Sequence, residues 1–114
     1  MVTRRNNSKN QGKVRITSGE WKNRNLEVPD IDGLRPTSER VRETLFNWLM
    51  PSIHKSVCLD LFAGSGSLGF EALSRGAKHC TFVEKSKLAF SQIKTTRTSL
   101  NALNSEVHNC DAID

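Results

Sequence analysis

Apolar and polar positions alternate from Lys13, with Val14 and Ile16 set against Arg15 and Thr17, and a second apolar pair, Leu26 and Val28, follows the turn-prone stretch "SGEWKNRN". A period of two broken by such residues predicts a β-hairpin that turns near Lys22 to Arg24 and is closed by Pro29. Asn23 tolerates the left-handed backbone of a tight turn, and Gly19 is expected to mark a bulge. The period then lengthens. In "TSERVRETLFNWLM", Val41, Leu45, Trp48 and Leu49 recur as one helical stripe, with Arg40, Glu43 and Asn47 opposite. Thr37 is placed to cap this helix, Glu39 suits its positive first turn, and Pro51 is expected to end it. Burial of Leu45 and Trp48, about 1.5 to 3 kcal/mol each, would tie the helix to a core.

From Ser56 the chain reads "VCLDLF", a short apolar run that breaks into a glycine turn, and then "SLGFEALSRG", a helix ending near Gly76. "HCTFVE" is a second strand, "KSKLAFSQIKTTRTSLNAL" a helix with Leu88, Ile93, Leu100 and Leu103 among its apolar positions, and "EVHNC" a third strand. Strands alternating with helices imply an α/β fold with a parallel sheet, right-handed crossovers, strand order 3-2-1 and ligands at the carboxyl ends of the strands.

The length of 114 residues suits one domain or part of one. No apolar run approaches the roughly 18 to 20 residues that cross a bilayer, and "MVTRRNNSKNQGK" has no export signal, so the expected location is cytoplasmic. Cys58, Cys80 and Cys110 lack paired spacing and read as small core hydrophobes; His54, His79 and His108 share no ligand spacing, and no metal is expected. Charge is unevenly placed. Residues 1–25 carry seven basic groups (Arg4, Arg5, Lys9, Lys13, Arg15, Lys22, Arg24) against Glu20, whereas the remainder carries ten basic and eleven acidic groups. Residues 1–12 thus read as a basic, disordered arm, and the arm with the hairpin as a surface for phosphate; the plain alternative is a merely solubilising tail.

The glycine turn poses the chemical question. Gly64, Gly66 and Gly69 have the G-x-G-x-x-G spacing of a dinucleotide site, yet Asp60 stands just ahead of them. A carboxylate there would repel a pyrophosphate by on the order of a few kcal/mol at partial burial, but it suits a cationic nucleoside such as S-adenosylmethionine. Glu84, at the end of the second strand, can accept both ribose hydroxyls of either ligand. Asp111, after the third strand, can accept from an adenine amine. Each acid also has a structural use: Asp60 could cap the turn, Glu84 could pair with Lys85 or Lys87, and Asp111 could cap a following helix.

Taken together, "RITSGEWKNRNLEVPDIDGLRPTSERVRETLFNWL" and "CLDLFAGSGSLGFEALSRGA" resemble the RsmD-type family of bacterial 16S ribosomal RNA guanine-N2 methyltransferases, over about residues 13–114. The resemblance implies the class I methyltransferase (Rossmann-like) sheet, first half only, preceded by the hairpin. Residues 1–12 would be the arm, 13–36 the RNA-contacting hairpin and loop, and 37–114 the N-terminal half of the S-adenosylmethionine domain. It implies that Asp60, Phe62, Ala63, Gly64, Ser65 and Gly66 line the methionine and ribose portions of the cofactor. Glu84, with Lys85 beside it, would hold the ribose, and Asp111 and Ala112 would lie beside adenine. Arg35 and Thr37 would close over the cofactor or order the catalytic loop, and Arg4, Arg5, Lys9, Lys13, Arg15, Lys22 and Arg24 would meet 16S ribosomal RNA or the assembling small subunit.

One departure matters. The family's catalytic Asn-Pro-Pro-Phe or Asp-Pro-Pro-Tyr motif occurs nowhere in this sequence. The expectation is a shortened form of such an enzyme that binds cofactor weakly and transfers no methyl group by itself. A full-length form would be monomeric, and the shortened one could associate through the unpaired edge of its first strand. A different class of reading is a non-catalytic RNA-binding module on the same scaffold. An NAD-dependent oxidoreductase would keep the glycines but leave Asp60 unexplained.

Overall fold

A computed structural model describes residues 13–28, 38–61 and 63–113. The hairpin pairs β1 (Lys13–Arg15) with β2 (Asn25–Glu27) antiparallel, Val14 facing Leu26. Their alternation buries Val14, Ile16 and Leu26. The turn forms where the sequence places it, with Asn23 at φ 72°. Gly19 makes no bulge in a strand. It lies in the turn, where Glu20 N–H donates to the Ser74 carbonyl at 2.8 Å and a Cβ on Gly19 would come within 1.9 Å of that oxygen. The glycine is what lets the hairpin sit on the following domain.

Helix α1 (Glu39–Ile53) is capped by Ser38, whose hydroxyl accepts from Val41 N–H, rather than by Thr37, which lies outside the described residues. Its buried face is also not the expected one. Arg42, Phe46 and Ile53 point inward, whereas Val41 is 59% and Trp48 79% exposed, Leu49 is exposed and Leu45 is half-buried. The two stripes are offset by one residue, and the inner one contains an arginine that hydropathy alone rejects. Pro51 lies inside the last turn instead of ending the helix. There it removes one intrahelical hydrogen bond without preventing the turn.

Strands β3 (Val57–Asp60), β4 (His79–Val83) and β5 (Ser105–His108) form one parallel sheet in the order β3-β4-β5, as the alternation of elements requires. They are linked by α2 (Ser67–Ser74) and α3 (Lys87–Leu100). Right-handed crossovers put both helices on one face. The core between them holds Phe70, Cys80, Phe82, Ile93 and Leu100, with the Phe70 and Phe82 ring centroids 4.6 Å apart. A Cβ on Gly69 would meet Phe82 at 2.2 Å, so Gly69 serves the packing of α2 on the sheet. Leu88 and Leu103 lie outside this core and are exposed. The other face presents Val57, 73% exposed, and Leu59, 62% exposed, and the outer edge of β3 carries no strand among the described residues. Of the cysteines only Cys80 is a core residue: Cys58 is half-buried and Cys110 exposed. Among the described residues no helix is long and apolar enough to cross a membrane, and no cluster of side chains could hold a metal ion.

Candidate functional site

The glycine turn joins β3 to α2 at the carboxyl end of the sheet. Ala63 N–H donates to the Val83 carbonyl at 3.1 Å, and Gly66 N–H closes the turn on the Ala63 carbonyl at 2.8 Å. Gly66, at φ 85°, is the N-cap of α2, a left-handed position that favours glycine. Ser65 is buried and its hydroxyl accepts from Ser67 N–H. Glu84 closes the site from the next strand: Oε1 accepts from Gly64 N–H at 2.7 Å and Oε2 from Ser86 N–H at 2.8 Å. The end of β5 is fastened to the same place, because Asn109 Nδ2 donates to the Glu84 and Lys85 carbonyls at 2.9 and 3.1 Å. Asp111 follows, half-buried, with Oδ1 accepting from Ile113 N–H at 3.0 Å. Ala112 beside it is half-buried, and the Lys85 side chain is exposed.

These contacts decide what the arrangement can hold. An ionised carboxylate has about four acceptor positions, and the backbone donors to Glu84 use two of them. Hydroxyl groups of a sugar can therefore be accepted without displacing the turn. Asp60, half-buried at the end of β3, adds a second negative charge on the same rim. Its field is felt inside the sheet: burial first, and the Asp60 charge second, push the Cys80 thiol up to about 12. Carboxylates at the ends of two adjacent strands, one of them held by backbone donors of the turn, suit a ligand with hydroxyls and positive charge and disfavour a diphosphate. The residues present thus fit S-adenosylmethionine better than a dinucleotide.

The basic residues have more varied surroundings than their charge alone suggests. Arg15 binds Glu39 through Nε at 3.2 Å and Nη2 at 2.7 Å, and Asn23 through Nη1 at 2.6 Å. The Glu39 hydrogen bond holds the guanidinium above its ordinary value. Arg24 Nη2 donates to the Ser99 carbonyl of α3 at 3.3 Å. Lys13 and Lys22 are exposed on the hairpin. Arg4, Arg5, Lys9, Arg35, Thr37 and Phe62 lie outside the described residues.

A buried ionic cluster beneath the hairpin was missed by sequence reasoning. Glu71, fully buried in α2, accepts from Thr17 N–H and Oγ1 at 3.0 Å each, from Arg42 Nε at 3.2 Å and from Arg75 Nε at 2.9 Å. Arg42 also donates to the Arg15 carbonyl, and Arg75 lies over the Phe46 ring, 5.2 Å from its centroid. One carboxylate therefore fastens the hairpin and α1 to α2. The available signal was Glu71, the one charged residue of α2, four positions ahead of Arg75 at the C-cap of that helix.

The sequence matches the family described as conserved hypothetical protein 95 over residues 14–114. It is 55% identical over 106 residues to ribosomal RNA small subunit methyltransferase D of Haemophilus influenzae, covering 91% of this chain and 55% of that protein. Identity to the protein of the same name in Escherichia coli K12 is 50% over 107 residues, covering 94% of this chain and 54% of that one. The solved structure of yhhF from Escherichia coli superposes with a TM-score of 0.82 at 51% identity, over 89% of this chain and 55% of that one. The chain spans about half the length of the curated relatives it matches.

Proposed function

The chain belongs to the conserved hypothetical protein 95 family, that of the RsmD-type methyltransferases, and on that premise we propose that it is the cofactor-binding portion of an S-adenosylmethionine-dependent enzyme that methylates the N2 amine of a guanine in small-subunit ribosomal RNA. The observation that carries the cofactor assignment is the Glu84 bridge between Gly64 and Ser86, which fixes a carboxylate with spare acceptor capacity at the glycine turn. Glu84 would take the ribose hydroxyls, Asp60 would face the positive methionine end, and Asp111 with Ala112 would border the adenine. Bound there, the cofactor supplies an electrophilic methyl group on a sulfonium. The turn backbone and Asp60 would orient that group and keep it at the carboxyl end of the sheet. The amine of guanine is a weak nucleophile whose lone pair is delocalised into the ring, so transfer depends on positioning. The positioning motif of the family, Asn-Pro-Pro-Phe or Asp-Pro-Pro-Tyr, is absent from this sequence.

Titration calorimetry with S-adenosylmethionine tests this reading. The chain is expected to bind it, to bind it more tightly than NADH, and to transfer no methyl group to 16S RNA. Binding that is unchanged by Asp60→Ala and Glu84→Ala, or tighter binding of NADH, would overturn the cofactor assignment. The concentration of basic residues in the first 25 positions favours a second reading, a non-catalytic RNA-binding module; RNA binding with no affinity for S-adenosylmethionine would select it.

A further inference from the structure

We propose that α3 and the outer side of β5 form a second RNA contact, with a phosphate held at Lys94 and an unpaired base lodged against Phe90. This rests on the RNA-directed reading above but uses a different surface. The fourteen residues of α3 include Lys87, Lys94 and Arg97 and no acid. Neither Lys94 nor Arg97 pairs with a carboxylate among the described residues. Arg97 is instead braced by Nε on the Ser105 carbonyl and hydroxyl at 3.1 and 2.8 Å, which holds a cation in place without cancelling it.

Between α3 and β5 runs a cleft of about 440 Å³ lined by Phe90, Lys94, Arg97, Thr98, Ser105 and Glu106, among others. The Lys94 ammonium sits 5.2 Å from the centroid of the Phe90 ring, so an aromatic platform and a cation occupy one spot, the combination by which single-stranded nucleic acid is held. Glu106 is the acid among those lining residues, and it is engaged by His108 Nε2 at 2.9 Å and His79 Nε2 at 3.6 Å. The hairpin touches the same helix, where Arg24 Nη2 donates to the Ser99 carbonyl.

The test is fluorescence anisotropy of the whole chain with a short labelled single-stranded RNA and with a duplex of the same length, at about 50 and 200 mM salt. Lys94→Gln, at an exposed position, is expected to weaken both RNAs and to lower the magnitude of the single-strand salt slope by about 0.7, which is about threefold over that salt range. Phe90→Leu is expected to weaken the single strand on the order of tenfold and to leave the duplex and the slope unchanged. Thermal unfolding verifies that both variants fold. Unchanged affinity in both, with a loss in Lys22→Gln, would place the RNA on the hairpin alone and overturn the inference. Absence of RNA binding by the parent chain at the lower salt would also overturn it. S-adenosylmethionine titration of the same variants reports separately on the cofactor reading, which neither substitution touches.

Discussion

Glu71 and Glu84 are the same residue type in the same α/β unit, and their surroundings give them opposite uses. Glu71 has no solvent exposure, and its two oxygens accept from two guanidinium groups, a hydroxyl and a backbone amide. Its acceptor capacity is filled by the protein. Glu84 is half-buried, and its oxygens accept from one backbone amide each. Capacity remains, and it faces the end of the sheet where ligands bind in this class of fold. A carboxylate saturated by its own chain builds structure, whereas one held firmly but left half-used is available to a ligand.

Removing the saturated carboxylate should have the greatest consequence. Glu71→Ala leaves Arg42 and Arg75 buried without their counter-charge, and removing one partner from a buried pair costs about 3 to 5 kcal/mol. Small domains have only about 5 to 15 kcal/mol in total, so this variant should unfold at far lower urea than the parent. It should also expose the hairpin to protease, because the Thr17 contacts go with it. A loss under about 1 kcal/mol by urea titration would show that apolar packing under Trp21 and Ile16, rather than the ionic cluster, holds the hairpin.

This cluster also marks where the sequence stops being legible. The hairpin, the three strands and their order follow from period and punctuation, because each signal lies within a few neighbouring residues. The glycine turn and Glu84 follow from local spacing with a known chemical use. The inward face of α1 could not be read that way. Arg42 occupies a core position only because Glu71, 29 residues later, is there to receive it, and Thr17 reaches the same carboxylate across 54 positions. Arg15 likewise looks like a free phosphate contact until Glu39 is folded beside it. Charge tells which residues are ionic but not which of them are already paired.

The unsaturated side should respond in the opposite manner. Glu84→Ala removes two hydrogen bonds to a charged group, each worth at this half-buried position about 1.5 kcal/mol, the low end for that class, so stability should fall by about 3 kcal/mol or less. S-adenosylmethionine affinity should fall at least about tenfold if one charge-assisted contact to ribose is lost, since such contacts are worth about 1.5 to 3 kcal/mol. Glu84→Gln keeps one acceptor oxygen for either Gly64 or Ser86 but not both, and should be intermediate in binding. Calorimetry and urea titration on the same samples separate the two effects. A variant that loses stability and affinity in proportion would mean that Glu84 only holds the turn and makes no contact of its own.

The smallest effect belongs to a third carboxylate, one that meets its arginine in solvent. Glu39 also binds an arginine, Arg15, at 2.7 Å, but nearly half of each side chain is exposed. The Arg15 hydrogen bond holds the Glu39 carboxyl below its ordinary value. Because the folded pKa is the lower one, the contribution is present in full above the unfolded value, near 4.3, and is lost as pH falls through the folded value. The parent should therefore melt slightly above Glu39→Gln at neutral pH, and the two curves should converge in acid. The gap should also shrink at high salt, since exposed pairs are screened. Glu71, shielded from solvent, should show no such salt dependence in its own variant. If the Glu39 gap survived high salt, the pair would be acting as part of the buried cluster through Arg15, whose carbonyl accepts from Arg42, and the line between the paired surface and the paired core would have to be drawn further out.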